Sequence, residues 1–90
     1  MEKVVITVLG KDTKGVLARI CTYLADNEIN ILDIRQTLVQ DYFTMMMIAD
    51  FAAAVKPFDQ IAAEIAKTGE SIGMQVRIQR EEIFEKMHRI

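Results

Sequence analysis

The chain has one cysteine and one histidine among its 90 residues. An internal disulfide is therefore excluded, and no cysteine and histidine set stands at metal-ligand spacing. Cys21 lies among the apolar positions of a helical pattern and reads as a buried thiol rather than a nucleophile, and His88 stands alone near the C-terminus and is assigned no role. The dinucleotide fingerprint G-x-G-x-x-G is missing. Gly10 and Gly15 have the spacing of a phosphate loop, but Val16 and Leu17 follow where lysine and serine or threonine are needed, which excludes nucleotide hydrolysis. With a net charge of -2 and both signs spread along the chain, there is no basic patch for a phosphate backbone, so nucleic acid is not expected as a partner. No apolar run approaches the roughly 18 residues of a membrane span, and no basic segment with an apolar core opens the chain. A cytoplasmic protein without membrane contact is expected. Stretches rich in glycine, proline or serine are absent, as are internal repeats, so the chain reads as one unit. A chain this short buries only about 60% of its unfolded surface, which makes self-association plausible.

What is present is a clear alternation of periods. Lys3 to Leu9, with V-V-I-T-V-L after the lysine, reads as a central strand. From Lys14 to about Asp26, Leu17, Ile20, Cys21 and Leu24 recur at helical spacing; Asp12 or Thr13 is placed to cap this helix and Asn27 to end it in a left-handed conformation. Ile29 to Val39 carries Leu32, Ile34 and Leu38 on one face, the pattern of a half-buried strand. After the polar connection Gln40 to Tyr42, a second alternating run from Phe43 to Phe51 predicts a hairpin. Met45, Met46 and Met47 within it read as gap-filling core. Pro57 suits a helix start, the apolar face from Phe58 to Ile72 continues that helix, Gly73 stops it, and Met74, Val76 and Ile78 form a last strand.

Strand, helix, strand, strand, helix, strand predicts an α+β, ferredoxin-like βαββαβ sandwich: a four-stranded antiparallel sheet with two helices on one face. The other face would show Val5, Thr7, Leu9, Ile31, Val39, Met46 and Ile48. In the tail, Ile83, Phe84, Met87 and Ile90 share a face, and Glu82 with Lys86 and Glu85 with Arg89 are i,i+4 pairs, so a short C-terminal helix is expected over residues 81–90, beyond a domain of residues 1–80. It is expected to cover the bare sheet face of its own or a partner subunit.

The remaining chemistry sits in the turn G-K-D-T-K-G-V-L, residues 10–17. Glycines bracket it, and the first amides of the following helix have no intrahelical partner and are aimed above the turn. These amides and the Asn30 side chain can donate to a carboxylate, while Asp12 can accept from an ammonium; together they complement an α-amino acid. Taken singly, Asp12 reads first as a helix cap and Asn30 as a strand-entrance residue. RNA-binding domains of this element order need exposed aromatics on the central strands, which strand one lacks. Acylphosphatase-type enzymes of the same order need an arginine in the first turn, where this chain has Lys11 and Lys14, and metal-carrying domains need a cysteine pair there.

The run D-x-x-G-x-L-x-x-I on Asp12, Gly15, Leu17 and Ile20, followed by I-N-I at Ile29 to Ile31, resembles the ACT domain over residues 1 to about 80, and is similar to the ACT halves of the glycine-cleavage system transcriptional repressor. The resemblance implies a regulatory homodimer that binds an amino acid between subunits, with the pattern falling on Gly10, Lys11, Asp12, Thr13, Lys14, Gly15 and Val16 of one chain and Asn30 of the other. Amino-acid-binding members often carry asparagine where this chain has Asp12. No catalytic residue, cofactor or metal is implied, and output would pass through a regulatory partner protein. A ligand-free dimeric adaptor is the competing reading, and a small hydrolase a third.

Overall fold

A computed structural model describes residues 1–11 and 14–87. The elements are β1 (Lys3–Lys11), α1 (Val16–Asp26), β2 (Asn30–Val39), β3 (Tyr42–Asp50), α2 (Phe58–Glu70), β4 (Met74–Arg80) and α3 (Glu81–Met87). The expected ferredoxin-like arrangement is found: one four-stranded sheet in the order β2-β3-β1-β4, with every neighbouring pair antiparallel. The two helices pack on one face. Val4, Ile6 and Val8 of β1, with Met45, Met47 and Ala49 of β3, meet Ile20 and Leu24 of α1 and Ile61 and Ile65 of α2 in one buried cluster. These strand residues alternate, as a sheet with one covered face requires.

Several local expectations are corrected. The helix stripe of α1 is Val16, Ile20 and Leu24 at four-residue spacing, while Leu17 is exposed. Gly15 occupies the N-cap position at φ 83 with no side-chain capping bond; Asp12 and Thr13, expected to cap, lie outside the described residues. Asn27 does not enter the left-handed region (φ −104), which falls instead to Glu28 at φ 60. Asn27 is buried, and its Nδ2 donates to the Tyr23 carbonyl at 2.9 Å, so its side chain is satisfied inside the helix end. Met45 and Met47 fill the core as expected, and Met46, also expected there as gap-filling, is exposed on the other face, where the strand alternation places it.

The largest correction concerns β2. It is an edge strand, exposed along nearly its whole length, rather than half-buried. Its register slips between Ile31 and Asp33, where a bulge at Leu32 changes the alternation. Ile31 therefore opposes Ala49 and leans on the core, leaving Asp33, Arg35, Thr37 and Val39 on the free face beside Ile48, Met46, Thr44 and Tyr42. On that free face α3 lies against β1 and β4, and Val5 is only 2% exposed. The tail helix thus covers one end of its own sheet; Ile90 and Arg89 lie outside the described residues.

The helix layer is joined by a charged hub. Glu64 on α2 accepts from the Tyr23 hydroxyl of α1 at 2.7 Å, from Lys56 Nζ at 2.9 Å and from Gln60 Nε2 at 3.0 Å. The Lys56 bond, then those of Tyr23 and Gln60, hold its carboxyl at about 2. A folded value below the ordinary 4.5 means that its contribution is complete above that pH and is lost as pH falls towards about 2. Replacing Glu64 with glutamine is expected to lower the thermal midpoint at pH 7, with the gap to wild type closing between pH 4.5 and 2. Midpoints of both proteins across that range test this.

Candidate functional site

β1 ends at the turn, and its register fixes what surrounds it. Gly10 opposes Phe43 on one side and Met74 on the other, and Lys11 opposes Tyr42. A Cβ on Gly10 would stand 2.5 Å from the Gly73 carbonyl oxygen and 2.7 Å from Met74 Sδ, so glycine is required here by the start of β4 rather than by an approaching ligand. Gly15 is the opposite case. Its φ of 83 calls for glycine, and among the described residues nothing lies within 4 Å of where a Cβ would stand, so none of them closes the helix start from that side.

Lys11 and Lys14 are exposed, and Lys11 Nζ stands 3.8 Å from Asp41 Oδ2 in the β2–β3 hairpin loop. Asp41 is a further charge at the turn, brought there by the pairing of Lys11 with Tyr42 beside the short β2–β3 connection. The Val16 side chain is buried, so only its backbone amide is available at the helix start. A shallow depression of about 470 Å³ runs from Gly15 along the outer side of α1 past Ala18, Arg19, Thr22 and Tyr23 to Asp26. Asp12 and Thr13, the remaining turn residues of the predicted site, lie outside the described residues.

Asn30 is not brought to the turn within one chain. It opens β2 opposite Asp50, and Asp50 opposes Lys3, so Asn30 and Lys11 lie at opposite ends of the sheet. With about 3.3 Å per residue, that is roughly 26 Å along the strands. A site holding both needs a second copy.

The sequence profile of the ACT domain matches residues 2–79. The chain belongs to the ACT domain family. Its sequence is 52% identical over 90 residues to a UPF0237 protein from Bifidobacterium longum, covering 100% of both chains. Its fold superposes on an ACT domain protein from Streptococcus pneumoniae with a TM-score of 0.81 at 34% identity, covering 93% of this chain and 94% of that one. A putative glycine cleavage system transcriptional repressor shares the fold, with a TM-score of 0.74 at 20% identity over 88% of this chain and 45% of its own. ACT domains are regulatory modules that sense small molecules. In this ACT domain the turn, the open helix start and the exposed edge strand β2 are the features that bear on such a role.

Among the described residues no helix is long and apolar enough to cross a membrane. Burial raises the Cys21 thiol above its ordinary value, which keeps it protonated and poorly nucleophilic at neutral pH.

Proposed function

We propose that this ACT domain is a non-catalytic, cytoplasmic amino-acid sensor that works as a homodimer paired through β2 and passes its state to a partner protein. The observation that carries the reading is the edge itself. β2 has ten residues, its outer edge pairs with no other strand among the described residues, and Leu32, Ile34, Leu38 and Val39 are all exposed along it. Pairing β2 with its own copy about a two-fold axis is antiparallel, so the start of one β2 lies beside the end of the other. That brings the partner subunit's Asn30 to the end of the sheet that holds the turn.

The ligand carboxylate would be met by the amides of Gly15 and Val16, Lys14 and the partner subunit's Asn30, and the ammonium by Asp12. Gly10, Lys11 and Thr13 are the remaining residues of the proposed site. Asp41, tied to Lys11, adds a second carboxylate at that end.

A thermal-unfolding screen against the twenty amino acids at millimolar concentration tests the reading. At about a hundred times the dissociation constant, binding adds roughly 2.7 kcal/mol. For a domain of this size that raises the midpoint by about 10 °C or more. One or two amino acids are expected to give such a shift, and Asn30→Ala to remove most of it. A flat screen, with a midpoint that still rises with protein concentration, would replace the sensor with a ligand-free dimeric adaptor.

A further inference from the structure

α3 covers only part of the free sheet face. Beyond Val5 the face opens: Met46 is 42% exposed, Leu9 49% and Tyr42 52%. The open part runs from the Thr7–Met46 pair to the Lys11–Tyr42 pair. Four residues of strand rise make about 13 Å. An α-helix with its side chains is about 10–12 Å across, so the opening is one helix wide.

Its charges are basic where α3 is acidic. Register places Arg35, Met46, Thr7 and Arg77 in one row across the four strands, with Lys11 further along β1. α3 carries Glu81, Glu82 and Glu85 against Lys86, and its Ile83 is exposed although the helix already lies on the sheet. An exposed apolar residue flanked by Glu82 and Glu85 matches an apolar opening flanked by arginines.

We propose that the open half of the free face is covered by α3 of a second copy, and that the second copy's open half is covered in turn by this α3. The two helices then form a layer between two facing sheets. Coverage of the open half selects the two-fold axis. An axis along the strands would set the acidic α3 over Asp33 of the partner subunit and leave the open half of each face uncovered. An axis across the strands sets α3 over Leu9 of the partner subunit, between Arg77 of the partner subunit and Lys11 of the partner subunit. β2 stays free in this arrangement, so the contact is independent of the edge pairing and, together with it, makes a tetramer.

The test is the mass of the full chain in solution by sedimentation equilibrium and native mass spectrometry, with circular dichroism to verify folding. Met46→Glu, on an exposed position that costs the core nothing, is expected to halve the stoichiometry of the wild type. Arg77→Glu alone, and Glu82→Arg with Glu85→Arg, are each expected to do the same, and the three changes combined to restore it. An unchanged mass for folded Met46→Glu, or a combined variant no better than its parents, overturns the facing arrangement. Ile34→Pro keeps the two interfaces apart: if it alone halves the mass, the edge reading stands and the facing one falls, and the reverse result leaves the facing one standing. A monomeric wild type ends both.

Discussion

Replacing Gly69 with leucine is expected to lower the thermal midpoint by about 15–25 °C, a larger fall than any single change on the surface would give. Gly69 is a helical residue of α2, buried where that helix crosses β4. A Cβ there would stand 2.4 Å from Val76 Cγ2 and 2.9 Å from the Met74 carbonyl oxygen. The valine methyl can rotate away, but the carbonyl belongs to the β4 backbone, which is bonded to β1, so relief requires the helix to lift off the sheet. Overpacking of this kind costs about 1–3 kcal/mol for small additions, and leucine adds three carbons beyond the clashing Cβ. About 3 kcal/mol or more at roughly 4–8 °C per kcal/mol gives the stated fall. Gly69→Ala is the informative companion. Alanine gains about 1 kcal/mol of helix propensity over glycine. A stabilised Gly69→Ala would show that α2 shifts freely and that the close approach to β4 is slack; a loss would show that the crossing distance is set by this residue.

Ile34→Pro is expected to weaken the β2-paired dimer at least about 100-fold and to abolish any amino-acid-induced rise in midpoint, while leaving the circular dichroism of the subunit intact. Proline removes a backbone donor and is tolerated in sheets chiefly on edge strands. The Ile34 amide donates to its neighbour's side chain, Asp33 Oδ1, at 2.8 Å, so the subunit itself forgoes one local, exposed bond. A factor of 100 is about 2.7 kcal/mol, within reach of losing a paired stretch and inserting a ring between two backbones. Sedimentation across a concentration series reads the first effect, and the thermal screen repeated on the variant reads the second. A dimer that survives the proline unchanged would place the subunit contact elsewhere. A dimer that dissociates yet keeps its ligand response would show that one chain holds the amino acid without Asn30 of its neighbour.

Element order was legible because the period changes at each boundary: the alternation of Val4, Ile6 and Val8 gives way to the four-residue spacing of Ile20 and Leu24 just past Gly15. Phase was harder. Val16 and Leu17 are adjacent and both apolar, and only contact with the sheet decides that Val16 turns inward. Nothing local announces the bulge at Leu32, since I-L-D-I reads as well with one alternation as with the other; pairing with Ala49 and Ile48 settles it. Edge position is equally hidden, because β2 carries as many aliphatic residues as a strand with a covered face, and its exposure follows from strand order. At the candidate site, the turn was visible from its two glycines, but they serve different ends. Gly10 makes room for β4 and Gly15 supplies a positive φ, a distinction that spacing alone does not draw. Asn30 was legible as a polar strand opening; its separation from the turn by a strand length comes only from the sheet register.

The strand at the centre of the sheet is the first to be synthesised, and this sets the order of events on the ribosome. β1 needs β3 on one side and β4 on the other, and roughly 70 residues separate its end from the end of β4. At about 5–20 residues per second it waits roughly 4–14 s with at least one edge unpaired. During that time V-V-I-T-V-L, β-branched and uncharged, is the segment of the nascent chain best suited to pair with another copy. The β2–β3 hairpin, joined by the two-residue loop Gln40–Asp41, closes early and supplies the first partner. Slow translation between residues 50 and 80 is therefore expected to prolong the exposure of the other edge of β1.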